Sequence, residues 1–185
     1  SEMCIRDRIQ IAEKSGKGYY PRWEFLNAYS GCMVGNPAVS VLTDAYQKGI
    51  QNYPVDKSIQ YAINTVRTFG NNEDGYDPGD LSKTLEYAYS DWCVGTLLRS
   101  QNRVQEADIY LKKSKAYRNV WCDSVKWFRA RLSKEEWLPW KGKKVHWQGC
   151  IESNNYQQGW FVPQDIEGMI QSVSYTHLRA HETKA

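Results

Sequence analysis

No run of apolar residues in this sequence approaches the ~20 that a membrane-spanning helix needs. No apolar signal-peptide core follows the first residues, so an export signal is expected outside this chain. Neither charge dominates. Lys and Arg number 24 against 21 Asp and Glu, and a net charge of +3 gives no footing for nucleic acid or an anionic membrane. Cys4, Cys32, Cys93, Cys122 and Cys150 include no closely spaced pair, which removes zinc knuckles and redox motifs and leaves the compartment open. Cys93 falls in an apolar helical stretch and reads as a small buried hydrophobe. Phe is scarce, with 4 residues, whereas Trp and Tyr are abundant at 8 and 13. Those two side chains join a flat apolar face to a hydrogen-bonding edge. A pyranose ring has the same split character, so the bias fits a sugar-binding protein or a Trp-rich core. With 41% hydrophobic and 24% charged residues, the 185-residue chain reads as one globular domain.

Both ends stand apart. Residues 1–8 (SEMCIRDR) fit no capping or core pattern, and residues 173–185 (VSYTHLRAHETKA) break the style of what precedes them. Both resemble translated sequencing-adapter sequence, which recurs in genes assembled from short environmental reads. They are set aside from the fold, and with them His177 and His181, whose spacing alone suggests a helical metal pair. The stretch carrying the fold is then residues 9–172.

That stretch reads as helices joined by aromatic loops. Asn36 and Pro37 give an N-cap and a first helical position, Val39, Leu42, Ala45 and Tyr46 follow at helical spacing, and Gly49 suits the C-cap. Asp56 can cap a second helix with Ile59, Ile63, Val66 and Phe69 on one face. Asp77-Pro78-Gly79 is a turn. A third helix runs from about Leu81 to Arg99, with Leu85, Ala88, Tyr89, Trp92, Thr96 and Leu97 as its inward stripe. A fourth spans about Val104 to Trp121, with Ala107, Leu111, Ser114 and Tyr117 inward. Residues 122–151 are irregular, and a last helix starts at Pro163 with Ile166, Met169 and Ile170 on one face. Short links make antiparallel pairs. No strict 34-residue repeat appears, which disfavours a tetratricopeptide array. Helical toroids fit the pattern equally well.

Three segments crowd polar and aromatic residues where a helical repeat needs neither. They are Tyr20-Pro21-Arg22-Trp23-Glu24 through Asn27 and Ser30 to Gly35; Tyr76 to Gly79 with Ser82 to Trp92; and Glu152 to Asp165. In this order they resemble glycoside hydrolase family 92 α-mannosidases. Those carry a block like Leu-Pro-Lys-Trp-x-x-x-Asn-x-Tyr-x-x-Cys-Met-Val-Gly, then Thr-Leu-Glu-Tyr-Ala-Tyr-Asp-Asp-Trp-Cys, then Glu-Gly-Asn-x-Trp-Gln-Tyr-x-Trp-x-Val-Pro-His-Asp. The middle block is near-identical from Thr84 to Cys93. The third departs at Ser153, Tyr156, Gln158 and Gln164, which leaves the substrate linkage open.

The resemblance implies an all-α fold, a partial (α/α)6 toroid of antiparallel helix pairs with aromatic-rich loops, whose sites lie at one rim. It implies removal of terminal α-mannose from glycans with inversion, and Ca²⁺ binding the sugar's O2 and O3. Glu86 matches the general acid, and the general base is expected outside this chain, so the isolated chain should be inactive. Export to the periplasm or cell surface follows from the family alone. Glu86 also borders the stripe of Leu85, Tyr89 and Trp92, where partial burial raises a carboxyl pKa as an acid requires. Glu152, Asn154 and Gln157 offer oxygens, which suit hard Ca²⁺ and the sugar, and no zinc-like His or Cys set competes. Asn154 and Gln157 are the metal candidates; Trp23 and Trp160 are candidates for stacking on the sugar. Asp91 either hydrogen-bonds near Glu86 or serves the helix alone, and His146 reads as a plain loop residue. Glu86 and the 152–157 segment are expected to converge on one rim. The rival readings are a non-catalytic helical-repeat scaffold and another inverting (α/α)6 glycosidase.

Overall fold

The structure, a computed structural model, describes residues 2–25 and 28–173; Asn27, His177 and His181 lie outside the described residues. Helices α1 (Glu2–Lys14), α2 (Pro37–Gln47), α3 (Val55–Thr68), α4 (Leu81–Ser100), α5 (Val104–Lys113) and the single turn α6 (Asn155–Gln158) precede a helix over residues 166–173, here α7. Strand among the described residues is confined to two antiparallel pairs, β1 (Glu24–Phe25) with β2 (Ala28–Tyr29) and β3 (Trp121–Cys122) with β4 (Trp127–Phe128). No helix among them is long and apolar enough to cross a membrane. The chain divides into two compact units, residues 1–70 with 86–114, and residues 71–85 with 115–185.

In the first unit α1 and α2 both pack on α3. Ile59, Ala62, Ile63 and Val66 recur at i, i+3, i+4 and i+7 on α3 and are buried, each worth up to roughly 1.5–3 kcal/mol as removed apolar surface for the larger side chains. Asp56 sits in the first turn of α3 and Pro54 takes the cap position. Pro37 opens α2 as its fixed φ favours, but Asn36 does not cap it: its Nδ2 donates to Phe69 O at 2.9 Å. Ile5, Ile9 and Ala12 form the buried face of α1, so a helical face runs into the segment that its sequence shows as patternless. Buried Tyr20 is satisfied at both ends, its N–H donating to Thr65 Oγ1 (2.9 Å) and its hydroxyl to Ser58 O (3.2 Å). At Gly95 α4 meets α5 so closely that a Cβ would lie 2.8 Å from Leu111 Cδ2.

Helix α4 corrects the inward stripe. Leu85, Ala88 and Leu97 are buried as expected, but Glu86, Tyr89, Trp92 and Thr96 are only partly buried while most of their neighbours on the helix are fully buried. A helix enclosed over most of its circumference has no single apolar face. The line of Glu86, Tyr89, Trp92 and Thr96, at i, i+3, i+6 and i+10, is therefore the more open one, where a phenol and an indole N–H can find polar partners.

The second unit is built around Leu81, Leu85, Tyr117, Val120, Trp127 and Phe128. The helical pattern expected to Trp121 ends as α-helix at Lys113 and continues as a 3₁₀ turn, Ser114–Val120. There the Ser114 hydroxyl donates back to Leu111 O at 2.7 Å, the short i−3 reach that competes with helix. On α7 Met169 is the buried apolar side chain; Ile166 and Ile170 are 57% and 51% exposed, against expectation. Asp165 sets that rotation: it accepts from Tyr117 Oη, pairs with Lys115 (2.8 Å) and Arg118 (3.4 Å), and receives Gly168 N–H at 3.3 Å.

Candidate active site

In the first unit, Glu86 stands on the open line of α4. Burial holds its carboxyl above the usual glutamate range. The backbone of Gly35 closes one side: a Cβ there would lie 3.3 Å from Glu86 Cδ and closer still to Oε2. Gly35 has φ +80°, a conformation that side chains with a Cβ resist. Tyr89, one turn on, stacks on Trp92 at 5.9 Å. Burial first, then Cys93, Asp44 and Glu86 raise its phenol to about 12, so it is a neutral donor at working pH. Asp91 does not share Glu86's line, since five residues rotate it by roughly 140°. It is 4% exposed, and burial pushes it up to about 7 while Lys113 pulls it down. Trp23 is 59% exposed and lines a cleft of about 480 Å³ with Arg22, Pro37, Ala38 and Val41; Glu86 is not part of that lining.

In the second unit, the segment 149–160 is fastened to the start of α4. Leu81 and Ser82 N–H donate to Gly149 O (2.6 and 3.2 Å), and Ile151 N–H donates to Ser82 Oγ (2.9 Å). Ser82 Oγ in turn donates to Gln158 Oε1 (3.0 Å), which also receives Ser153 Oγ (3.4 Å). Two departures from the family pattern, Ser153 and Gln158, thus bond to each other. Glu152 adopts φ +53° and is exposed, as is Gln157. Asn154 is buried and its Oδ1 accepts Gln157 N–H at 3.0 Å, capping α6. Neighbouring Asn155, overlooked in the sequence, is fully buried; its Nδ2 donates to Phe128 O (3.2 Å), while its Oδ1 has no donor among the described residues. Trp160 (49% exposed) and Tyr156 (39%) stand edge to face at 6.0 Å. His146 is an exposed loop residue bridged through its backbone to Asn154. Among the described residues no group of three or more His, Cys, Asp or Glu is placed to hold a metal.

Trp23 and Glu86 therefore belong to one unit and Glu152, Asn154, Gln157 and Trp160 to the other. Sequence reasoning missed Gly35, Arg22, Ser82 and Asn155. All four had a signal, since each lies in one of the three polar-aromatic segments.

An all-α scaffold carrying a half-buried carboxyl and an oxygen-rich aromatic loop defines a helical domain with a candidate acid. Residues 1–175 match the model of the glycosyl hydrolase family 92 catalytic domain, and the chain belongs to that family. It is similar to a family GH92 alpha-mannosidase of Bacteroides thetaiotaomicron, at 26% identity over 97% of this chain with a TM-score of 0.85. The same enzyme in complex with mannoimidazole gives a TM-score of 0.82. A family GH92 inverting mannosidase of that organism matches at 27% identity over 91% of the chain, TM-score 0.80. No curated protein sequence matches. The fold is thus all-α, of the (α/α)6 catalytic type. The chain spans about a quarter of the length of these solved relatives.

Proposed function

We propose that this chain is a segment of a longer exo-α-mannosidase that releases terminal α-mannose from glycans with inversion, outside the cytoplasm, and that Glu86 is its general acid. Family membership, the inverting relative and the relative bound to mannoimidazole support the reading. The observation that carries it is the seat of Glu86, a carboxyl half-buried against the Gly35 backbone with its proton held above the ordinary range.

Inversion takes one protonated carboxyl to donate to the leaving oxygen and a second carboxylate, roughly 6.5–9.5 Å away, to activate water on the opposite face. Glu86 gives its proton to the glycosidic oxygen as the bond to the anomeric carbon breaks. The base comes, under this proposal, from another segment of the longer protein. Because donation needs the protonated form, activity falls as pH rises through the raised pKa of Glu86, the alkaline limb of the profile.

The oxygen donors of Glu152, Asn154 and Gln157 fit a hard cation in kind. Asn154 Oδ1 spends one lone pair on its cap and keeps another. Asn154 and Gln157 would hold Ca²⁺ with further oxygens from sugar and water, and the ion supplies a fixed seat for the mannose O2 and O3. Glu152 orients the sugar, and Trp23 and Trp160 stack on it.

The test is Glu86→Gln in the full-length enzyme that carries this segment. On a disaccharide with a poor leaving group kcat should fall ~10²–10⁴-fold, and far less on an activated aryl mannoside. An equal fall on both substrates removes Glu86 from the acid role.

A further inference from the structure

The carboxylate of Glu86 is met by Gly35, and Gly35 ends a segment that holds itself together weakly. Residues 30–35 include three left-handed positions, Gly31 (φ +72°), Met33 (+60°) and Gly35 (+80°), and one internal bond from Cys32 N–H to Ser30 Oγ at 3.3 Å. Both ends are tied to one place. At the start, Tyr29 stacks on Phe69 at 5.1 Å, with Tyr19 edge-on to both rings. At the end, Asn36 Nδ2 reaches Phe69 O. Arg22 joins these pieces. Its guanidinium lies 5.5 Å from the Tyr29 ring centroid and 5.7 Å from that of Phe69. Nη2 donates to Tyr29 Oη and to Gly31 O (3.4 Å) within the segment. Nη1 donates to Tyr87 Oη (3.4 Å), the residue after Glu86 on α4.

We propose that Arg22 is a positioning residue for the candidate acid: it fixes the 30–35 segment to α4 so that the Gly35 backbone closes over the Glu86 carboxyl. This rests on the reading of Glu86 as the acid. A planar fork suits the task because it lies beside two rings while its nitrogens reach three separate acceptors. A lysine ammonium reproduces the charge and some bonds but not the plane. Arg22 itself need not touch the sugar.

The test compares Arg22→Met, Arg22→Lys and Tyr87→Phe with Glu86→Gln in the full-length enzyme, each on the poor-leaving-group disaccharide and the aryl mannoside. A misplaced acid should slow Arg22→Met roughly tenfold or more on the disaccharide, with KM nearly unchanged, and much less on the aryl mannoside. Arg22→Lys should recover part of the loss. Should Arg22→Met fail to fold, Tyr87→Phe, which deletes one hydrogen bond, must show the same selectivity on a smaller scale. Equal slowing of both substrates, or none, in the folded variants overturns the proposal. If Glu86→Gln is itself unselective, the acid reading fails and this inference falls with it. A selective Glu86→Gln beside an unselective Arg22→Met rejects the positioning role alone.

Discussion

Glu86 and Glu152 are both glutamates given a role by the proposed function, and their surroundings are opposite. Glu86 sits on an enclosed helix, half-buried against backbone, with its pKa raised by the loss of solvent. Glu152 is exposed on a loop whose hydrogen bonds hold the main chain and leave its carboxylate outward. An acid must keep a proton near neutral pH, which burial favours. A ligand to a sugar or cation must be reachable, which exposure favours. Under the proposed function, one residue type serves two tasks by placement alone.

The sharpest way to break this comparison is chelation. If the loop serves the mannose ring through Ca²⁺, removing the ion from the full-length enzyme should abolish turnover of disaccharide and aryl mannoside alike, since neither escapes the ring. Rates unchanged by a chelator end the calcium proposal while leaving Glu86 untouched. The buried side is tested next by Gly35→Ala. The added methyl must displace the end of the Glu86 side chain, so kcat on the disaccharide should fall roughly 10²-fold, as for a misplaced catalytic group. Stability should fall by about 1 kcal/mol from the positive φ, readable as a small drop in Tm.

Asp91 marks what burial does to a carboxyl on the same helix off Glu86's line. Its folded pKa is raised from 3.8 to about 7. The sign is therefore a cost: it is absent below the unfolded value, grows as pH rises through that window, and is constant above it. Asp91→Asn should raise Tm progressively between pH 4 and 7, with a plateau on the order of 2–4 kcal/mol by the linkage of about 1.4 kcal/mol per pH unit. A gain independent of pH contradicts the burial account. The smallest effect is expected at Trp160: replacement by Ala should raise KM roughly threefold to tenfold, the worth of one aromatic stacking contact, and leave kcat alone. A fall in kcat would move Trp160 to the chemistry.

The residues disclosed much of this through local pattern. Helix α3 was legible because one face is buried and one wet, so Ile59, Ile63 and Val66 mark it unaided. In α4 the same method found Leu85, Ala88 and Leu97, which are buried, but also placed Tyr89, Trp92 and Thr96 fully inward where they are only partly buried, because a helix covered nearly all round carries no amphipathic signal. Ile166 and Ile170 were misread because Asp165 fixes the rotation of α7 through Tyr117, Lys115 and Arg118, about 50 positions away. Within the site, Glu86 was legible through its motif and its apolar neighbours. The closing contact with Gly35, 51 positions earlier (86 − 35), has no trace in spacing. Asn154 was read for its oxygen, and part of that oxygen's capacity goes to capping a single helical turn.

The central claim is that burial raises the pKa of Glu86. A carboxyl titration by NMR with ¹³C-labelled glutamate measures this directly, with the resonance assigned by its loss in Glu86→Gln. The account predicts a midpoint clearly above the ordinary glutamate value of 4.5, moving downward in Gly35→Ala as the carboxyl is pushed toward solvent. A midpoint at or below 4.5 would contradict it.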